Sequence, residues 1–320
     1  MKKVIIILLV IAFILVIAYL GVGKYFYDFA INANSKKEFM ESNPNLPSSR
    51  TVDSRAVDVS EQLDREFEKL HKPVEVTAVS KDKLQLKLHA YKYKNQEESH
   101  KWALLIHGYD NNSRGMIKWA RNFYEQGYHV ITPDLRGHGK SEGEYIGMGW
   151  HDRLDILLWI DKIIEEDPNA EIALFGISMG GAAVIMTSGE DLPSNVKVIV
   201  EDCGYTSAAD VFTYQLDALF GLPEFPVLQA ANTVTKLQAG YDIYEASAIK
   251  QVVKCKKPIL FIHGDQDTFV PFKMMDELYN AATVEKEKLI VSGAEHGLSE
   301  PVDPELYWDT IWGFVNKYIK

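Results

Sequence analysis

Cysteine is nearly missing from this chain. Cys203 and Cys255 are the two present, with no CxxC pair and no Cys/His cluster. Neither a disulfide framework nor a zinc site of ordinary ligand spacing is therefore expected. Phosphate-cradling glycine signatures are missing as well. No G-x-G-x-x-G opens a strand–helix unit and no G-x-x-x-x-G-K-[ST] occurs, so no nucleotide cofactor and no metal are expected. Basic residues are in the minority, 34 Lys and Arg against 45 Asp and Glu, for a formal net charge of -11. Phosphate binding needs clustered cations, so a nucleic-acid partner is excluded. The 47% hydrophobic content over 320 residues is that of a globular chain with one large core.

Charge is also missing from one long stretch. After Met1-Lys2-Lys3, nothing charged occurs from Val4 to Gly23. About twenty helical residues at ~1.5 Å each span a ~30 Å hydrocarbon layer. Tyr19, Tyr25, Phe26 and Tyr27 follow at the far end, where aromatic side chains favour the interface. A cleaved secretory signal is the alternative. The run is longer than the ~7–15-residue apolar region of such signals, and no A-x-A site follows it. No cysteine lies near it, which excludes a lipoprotein anchor. The expectation is an uncleaved single-pass anchor over 1–23 in the cell membrane. Lys2 and Lys3 point to an inside N-terminus and an extracytoplasmic body, while Lys24, Lys36 and Lys37 on the other flank pull the opposite way.

Residues 24–72 read as a polar stalk, with a loop at 43–49 and a short amphipathic helix from Ser60 to His71. From Val74 the pattern changes to strands. Leu84, Leu86, Leu88 and Ala90 alternate with polar residues, as in an antiparallel strand with one wet face. Short apolar runs then alternate with helical segments: 102–106, 129–132, 172–175, 196–200, 259–262 and 288–291. That rhythm specifies an α/β chain with a mostly parallel sheet covered on both faces. In such sheets ligands bind at the carboxyl ends of the strands. The unusual residues of this sequence cluster just after those runs.

Gly176-Ile177-Ser178-Met179-Gly180-Gly181 sits between an apolar run and a helical segment, the strand–turn–helix setting in which G-x-S-x-G presents a serine nucleophile. Side chains at 176 and 180 would collide with the strand and the helix, and glycine removes the clash. A serine hydroxyl needs a base, and the base needs an orienting acid, which on such a turn follow in the order acid, then histidine. His296 follows the last apolar run, in Gly293-Ala294-Glu295-His296-Gly297. Of the other histidines, His71, His89 and His100 precede the first buried strand and read as surface residues. His129 begins a strand, away from the carboxyl edge. His107, His138 and His151 precede the serine, and His263 closes a strand in a tight turn, where histidine packs and bonds backbone. For the acid, Asp265 and Asp267 compete, with Asp202 as an outsider. Asp265 beside Gly264 suits local capping, and Asp267 is the choice. Asp134 is expected to bond its own loop and Arg136. An oxyanion needs two backbone N–H groups. Met179, next to the serine, supplies one, and Tyr109 in His107-Gly108-Tyr109 the other.

These segments, together with Asp134-Leu135-Arg136-Gly137-His138-Gly139-Lys140-Ser141 and His263-Gly264-Asp265-Gln266-Asp267, resemble the α/β-hydrolase superfamily. More narrowly, they resemble its bacterial esterase and prolyl-oligopeptidase-like branch, from about Val74 to Lys320. The resemblance implies a catalytic domain over 73–320, a Ser178–His296–Asp267 triad, and a lid. Residues 204–250 interrupt the strand–helix rhythm where family members place that lid. Haloalkane dehalogenases of this fold carry Asp as nucleophile, whereas position 178 is Ser. The lid segment holds Tyr205, Phe212, Tyr214, Leu219, Phe220, Phe225 and Leu228, and no Lys or Arg occurs from Glu201 to Thr235. The expected substrate is a small-molecule carboxylic ester with an apolar acyl group. An amide or peptide, or a non-catalytic membrane-tethered binding protein, are the alternatives.

Overall fold

A computed structural model of the chain describes residues 1–43, 45–46, 54–96 and 98–320. Three helices come first: α1 (Lys2–Ala30), α2 (Glu38–Ser42) and α3 (Ser54–Leu70). Then follow β1 (Val74–Val79), β2 (Lys87–Tyr93), β3 (Lys101–Ile106), α4 (Ile117–Glu125), β4 (His129–Pro133), α5 (Asp152–Glu166), β5 (Glu171–Ile177), α6 (Met179–Ser188) and β6 (Val196–Asp202). The last part holds α7 (Ala208–Phe220), α8 (Glu224–Gln238), α9 (Ala248–Val252), β7 (Ile259–Gly264), α10 (Lys273–Ala281), β8 (Lys286–Val291), α11 (Ser299–Val302) and α12 (Pro304–Val315). The strands form one sheet in the order β1-β2-β4-β3-β5-β6-β7-β8. β2 is antiparallel to β1 and β4, and the remaining pairs are parallel.

The apolar runs are continuous because both faces of the sheet are covered. Along β3, Trp102, Leu104 and Ile106 face one core while Ala103 and Leu105 face the other. Helices α5, α6 and α10 fill the first core, and α4 and α12 the second. Successive side chains of a strand point to opposite faces, so one run feeds two cores. All the parallel strands end at one edge, and the loops leaving that edge hold positions 107–109, 178, 267 and 296.

Three readings change. The alternation from Leu84 to Ala90 does not make one strand, because Gln85 adopts a positive φ of 48° in a tight turn and Leu84 is exposed. Strand β2 begins only at Lys87, and its inner residues are buried on both faces. The expected loop at 43–49 falls largely outside the described residues, and the helix expected at 60–71 is the later part of α3, which ends at Leu70.

The third change concerns the stalk. Tyr27 and Ile31 are 3% and 1% exposed and belong to the first core. Backbone bonds tie the same segment to the body: Ile146 N–H donates to Ile31 O (2.8 Å), and Ala33 N–H donates to Glu144 O (3.0 Å). Lys37 Nζ donates to the carbonyls of Asp28, Phe29 and Asn32, capping the end of α1. A boundary at 73 therefore cuts through packed structure. Single-sequence patterning could not show this, because the bonds to Glu144 and Ile146 join residues more than a hundred positions apart.

Candidate active site

Ser178 follows β5 and is the N-cap of α6, with φ 55° and ψ −119°. An L-residue rarely adopts that backbone, so the surroundings must hold it. Ser178 N–H donates to Asp202 O (2.7 Å). A Cβ on Gly176 would lie 2.2 Å from Gly180 O, and one on Gly180 would lie 2.2 Å from Ile106 O. The two glycines let strand, turn and helix close on one another, and the serine is left at a helix N-terminus facing the cleft.

His296 Nε2 lies 2.8 Å from Ser178 Oγ, and His296 Nδ1 lies 2.7 Å from Asp267 Oδ2. With Nδ1–H donating to the carboxylate, Nε2 is left to accept from the serine hydroxyl. The other oxygen of Asp267, Oδ1, accepts from Phe269 N–H (2.9 Å) and Val270 N–H (2.8 Å). Burial by itself would raise this carboxyl, but His296 and His263 outweigh it and hold Asp267 well below the usual carboxylate range. Asp267 is therefore an anion at neutral pH.

His263 was read as a packing residue, yet it also touches the acid. Its Nε2 stands 3.0 Å from both Asp267 Oδ2 and Val270 O. The detectable signal was its spacing, four residues before Asp267 on the same turn. The competing acids are occupied elsewhere. Asp265 accepts from Gly293 N–H (2.8 Å) and Ser292 Oγ, while Asp202 accepts from Tyr307 OH (2.9 Å) and Ser299 Oγ.

Tyr109 follows β3 beside the serine, since a Cβ on neighbouring Gly108 would lie 3.4 Å from Ser178 Cβ. The loop is held at three points. Burial and His138 push His107 down to about 3, so its ring is neutral, with Nδ1–H donating to Gly108 O and Nε2 accepting from Leu135 N–H. His138 Nε2–H donates to Tyr109 O (2.8 Å), and Tyr109 OH donates to Ala30 O (2.5 Å).

Two further expectations are corrected. His89 is buried rather than superficial, with Nδ1 2.8 Å from Asp134 Oδ2. Asp134 also accepts from Ser113 N–H and Lys140 N–H, but not from Arg136. The Arg136 fork is bidentate to Asp155, and its Nη1 also reaches Asp82 and Tyr145 OH. A planar guanidinium takes the partner that matches its fork, and Asp155 on α5 does so.

Cys203, Asp267 and His296 place potential ligand atoms within 4.8 Å of one another. Burial pushes the Cys203 thiol well up, which keeps it protonated, and all four close partners of Asp267 are already N–H donors. This donor set suits a hydrogen-bonded relay better than a metal.

The cleft above Ser178 has an empty volume of about 860 Å³, open mouth included. Met148, Met179, Tyr205, Phe212, Leu219 and Phe269 are among its lining residues, and none of those lining residues is charged.

Residues 97–202 match the model of the serine aminopeptidase S33 family of hydrolases. Over 79% of the chain the fold superposes on an esterase of Pyrococcus furiosus, covering 94% of it with a TM-score of 0.62 at 21% identity. The chain has the α/β-hydrolase fold. The chain also superposes on the acylaminoacyl peptidase of Pyrococcus horikoshii, with a TM-score of 0.58 at 18% identity, over 78% of the chain and 42% of that enzyme. In sequence it is 27% identical to YqkD of Bacillus subtilis, a protein of uncharacterised function, across 67% of the chain and 70% of YqkD. It is 24% identical to the lysophosphatidylserine lipase ABHD12 of Danio rerio across 60% of the chain, which spans half of that lipase.

Proposed function

We propose that this α/β-hydrolase is a serine esterase that cleaves carboxylic esters with an apolar acyl group. The observation that carries the reading is the hydrogen-bonded line Ser178–His296–Asp267 at the floor of an uncharged cleft. His296 takes the hydroxyl proton as Ser178 Oγ attacks the ester carbonyl, and Asp267 stabilises the imidazolium that forms. The N–H groups of Met179 and Tyr109 receive the oxyanion. His296 returns its proton to the leaving alkoxide as the carbonyl reforms, leaving an acyl-serine. A water deprotonated by His296 then releases the acid and restores the hydroxyl.

Aminopeptidase chemistry has a requirement that this cleft does not meet. Recognition of a peptide ammonium calls for a carboxylate in the site, and among the described residues no acidic side chain lines the cleft. That favours the ester over the aminopeptide. The helix α1 is long and apolar enough to cross a membrane. We read it as a single-pass anchor with the body on the extracytoplasmic side.

Ser178→Ala and His296→Ala are each expected to lower kcat on p-nitrophenyl esters by about three to six orders of magnitude, with the double variant hardly worse than either. Labelling by a fluorophosphonate should vanish in Ser178→Ala. A folded Ser178→Ala protein with full turnover would refute the proposal.

A further inference from the structure

The α1 helix does more than a tether requires. Val4 to Ile17 are exposed apolar residues, and nothing among the described residues covers them. At Tyr19 the helix meets α8, where Tyr19 OH lies 3.1 Å from Thr233 Oγ1. One turn later a Cβ on Gly23 would sit 2.3 Å from Ala230 O, so only glycine permits this close approach. The next two turns put Phe26, Phe29 and Ala30 into the wall of the cleft that contains Ser178. The Phe26 and Phe29 rings each stand 5.3 Å from Phe220 at the end of α7, and Phe29 stacks on Phe39 at 4.4 Å. Ala30 O accepts the hydroxyl of Tyr109.

We propose that α1 is a working part of the acyl site, and that the substrate is a long-chain acyl ester taken directly from the membrane leaflet at the Gly23 end of α1. The inference rests on the serine-esterase reading and on α1 spanning the bilayer. Its geometry follows from helix dimensions. Residues 4–20 cover about 25 Å at ~1.5 Å per residue, close to the ~30 Å hydrocarbon thickness. Gly23 then lies near the interface, and Phe26 and Phe29 lie within about two turns above it. Tyr25, Phe220 and Phe225 are exposed at this level, at 56%, 37% and 73%. Aromatic side chains suit that depth. A chain leaving the leaflet between α1 and the α7–α8 lid passes from lipid into an apolar cleft without crossing water. Crossing water is the step the hydrophobic effect penalises most for a long chain. With no charged side chain among the described residues that line the cleft, a polar head group is left outside while the ester carbonyl reaches Ser178.

The test uses the full-length protein in phosphatidylcholine vesicles. p-Nitrophenyl butyrate is supplied in the water, and p-nitrophenyl palmitate either within the vesicles or in detergent micelles separate from them. The expected result is palmitate turnover at least ten-fold faster from the protein's own vesicles than from micelles. Phe29→Ala, Phe220→Ala and Gly23→Leu should each lower the palmitate-to-butyrate ratio about ten-fold or more. Phe220 is partly exposed, so its variant keeps the test decisive if Gly23→Leu fails to fold. Unchanged ratios in Phe29→Ala and Phe220→Ala, or equal rates from vesicles and micelles, would overturn the inference. Fluorophosphonate labelling separates the two readings. If wild-type Ser178 is not labelled, the esterase reading itself fails; if it is labelled and the ratios do not move, only the role of α1 fails.

Discussion

Asp267 gives its two oxygens different tasks. Oδ1 is fixed by the Phe269 and Val270 amides, and Oδ2 faces His296 and His263. Asp267→Asn replaces an acceptor with an amide, which favours the wrong imidazole tautomer and is expected to lower kcat about 10⁴-fold. Asp265→Asn and Asp202→Asn should each stay within about ten-fold of wild type, because their partners are Gly293 and Tyr307 rather than the imidazole. Steady-state kinetics on a short ester checks this, and a crippled Asp202→Asn with an active Asp267→Asn would move the acid to the end of β6. Glu201 offers a pH test. It is fully buried with one bond, from Gly204 N–H, and burial pushes its carboxyl up to about 7. The folded protein then binds a proton that the unfolded chain releases near its ordinary value. This group's contribution therefore weakens stability as pH rises from about 4.5 to 7, by no more than about 3 kcal/mol. Glu201→Gln keeps the acceptor for Gly204 and removes the ionisation. Its Tm should exceed that of wild type at pH 8 and converge with it near pH 5 in thermal melts. A Tm gap that does not change with pH would mean Glu201 is neutral throughout.

Parallel strands place the site by ending together. β3, β5, β7 and β8 deliver Tyr109, Ser178, Asp267 and His296 to one edge, although these residues span nearly two hundred positions. The Ser178 turn is legible because its constraint is local. Gly176 and Gly180 stand two residues either side of Ser178, and their clashes arise within one strand–turn–helix unit plus β3. The lid is legible only as an interruption of rhythm. Its helices follow from local signals, with Ser207 capping α7 by accepting from Asp210 N–H and Gly221 ending it at φ 62°. What α7 and α8 pack against is another matter. The first half of α1 looks the same to lipid as to protein, since apolar residues surround it on every side.

For the molecule as a whole, the decisive boundary lies inside α1 rather than after it. Deleting residues 1–18 removes only side chains that the protein leaves largely uncovered, and should yield a soluble protein that a fluorophosphonate still labels. Deleting residues 1–34 also removes Tyr27 and Ile31 from the core and the Ala30 carbonyl from Tyr109. Those two side chains alone stabilise the fold by about 3–6 kcal/mol at ~1.5–3 each, a large share of an ordinary ~5–15 kcal/mol. The shorter protein should aggregate or melt at least ~10 °C lower, and label poorly. Equal melting and labelling of the two truncations, by thermal shift and gel fluorescence, would make the end of α1 dispensable. The same packing bears on signal cleavage, because a cut near Asn34 would strip Phe26, Phe29 and Ala30 from the cleft.

From sequence alone came the parallel sheet, the order of its strands along the chain, the strand–turn–helix at Ser178 and the candidates around it. Each is written in short-range pattern: apolar runs fit for two covered faces, glycines where a Cβ cannot fit, a histidine in the last loop. Tertiary structure alone decided that Phe26, Phe29, Ala30, Ile31 and Phe39 are wall rather than stalk, that Arg136 pairs with Asp155, that His89 is buried, and that His263 shares Asp267 with His296. These depend on which distant surfaces meet. A Phe at position 29 has the same hydrophobicity against lipid, lid or cleft, and only the packed chain distinguishes them.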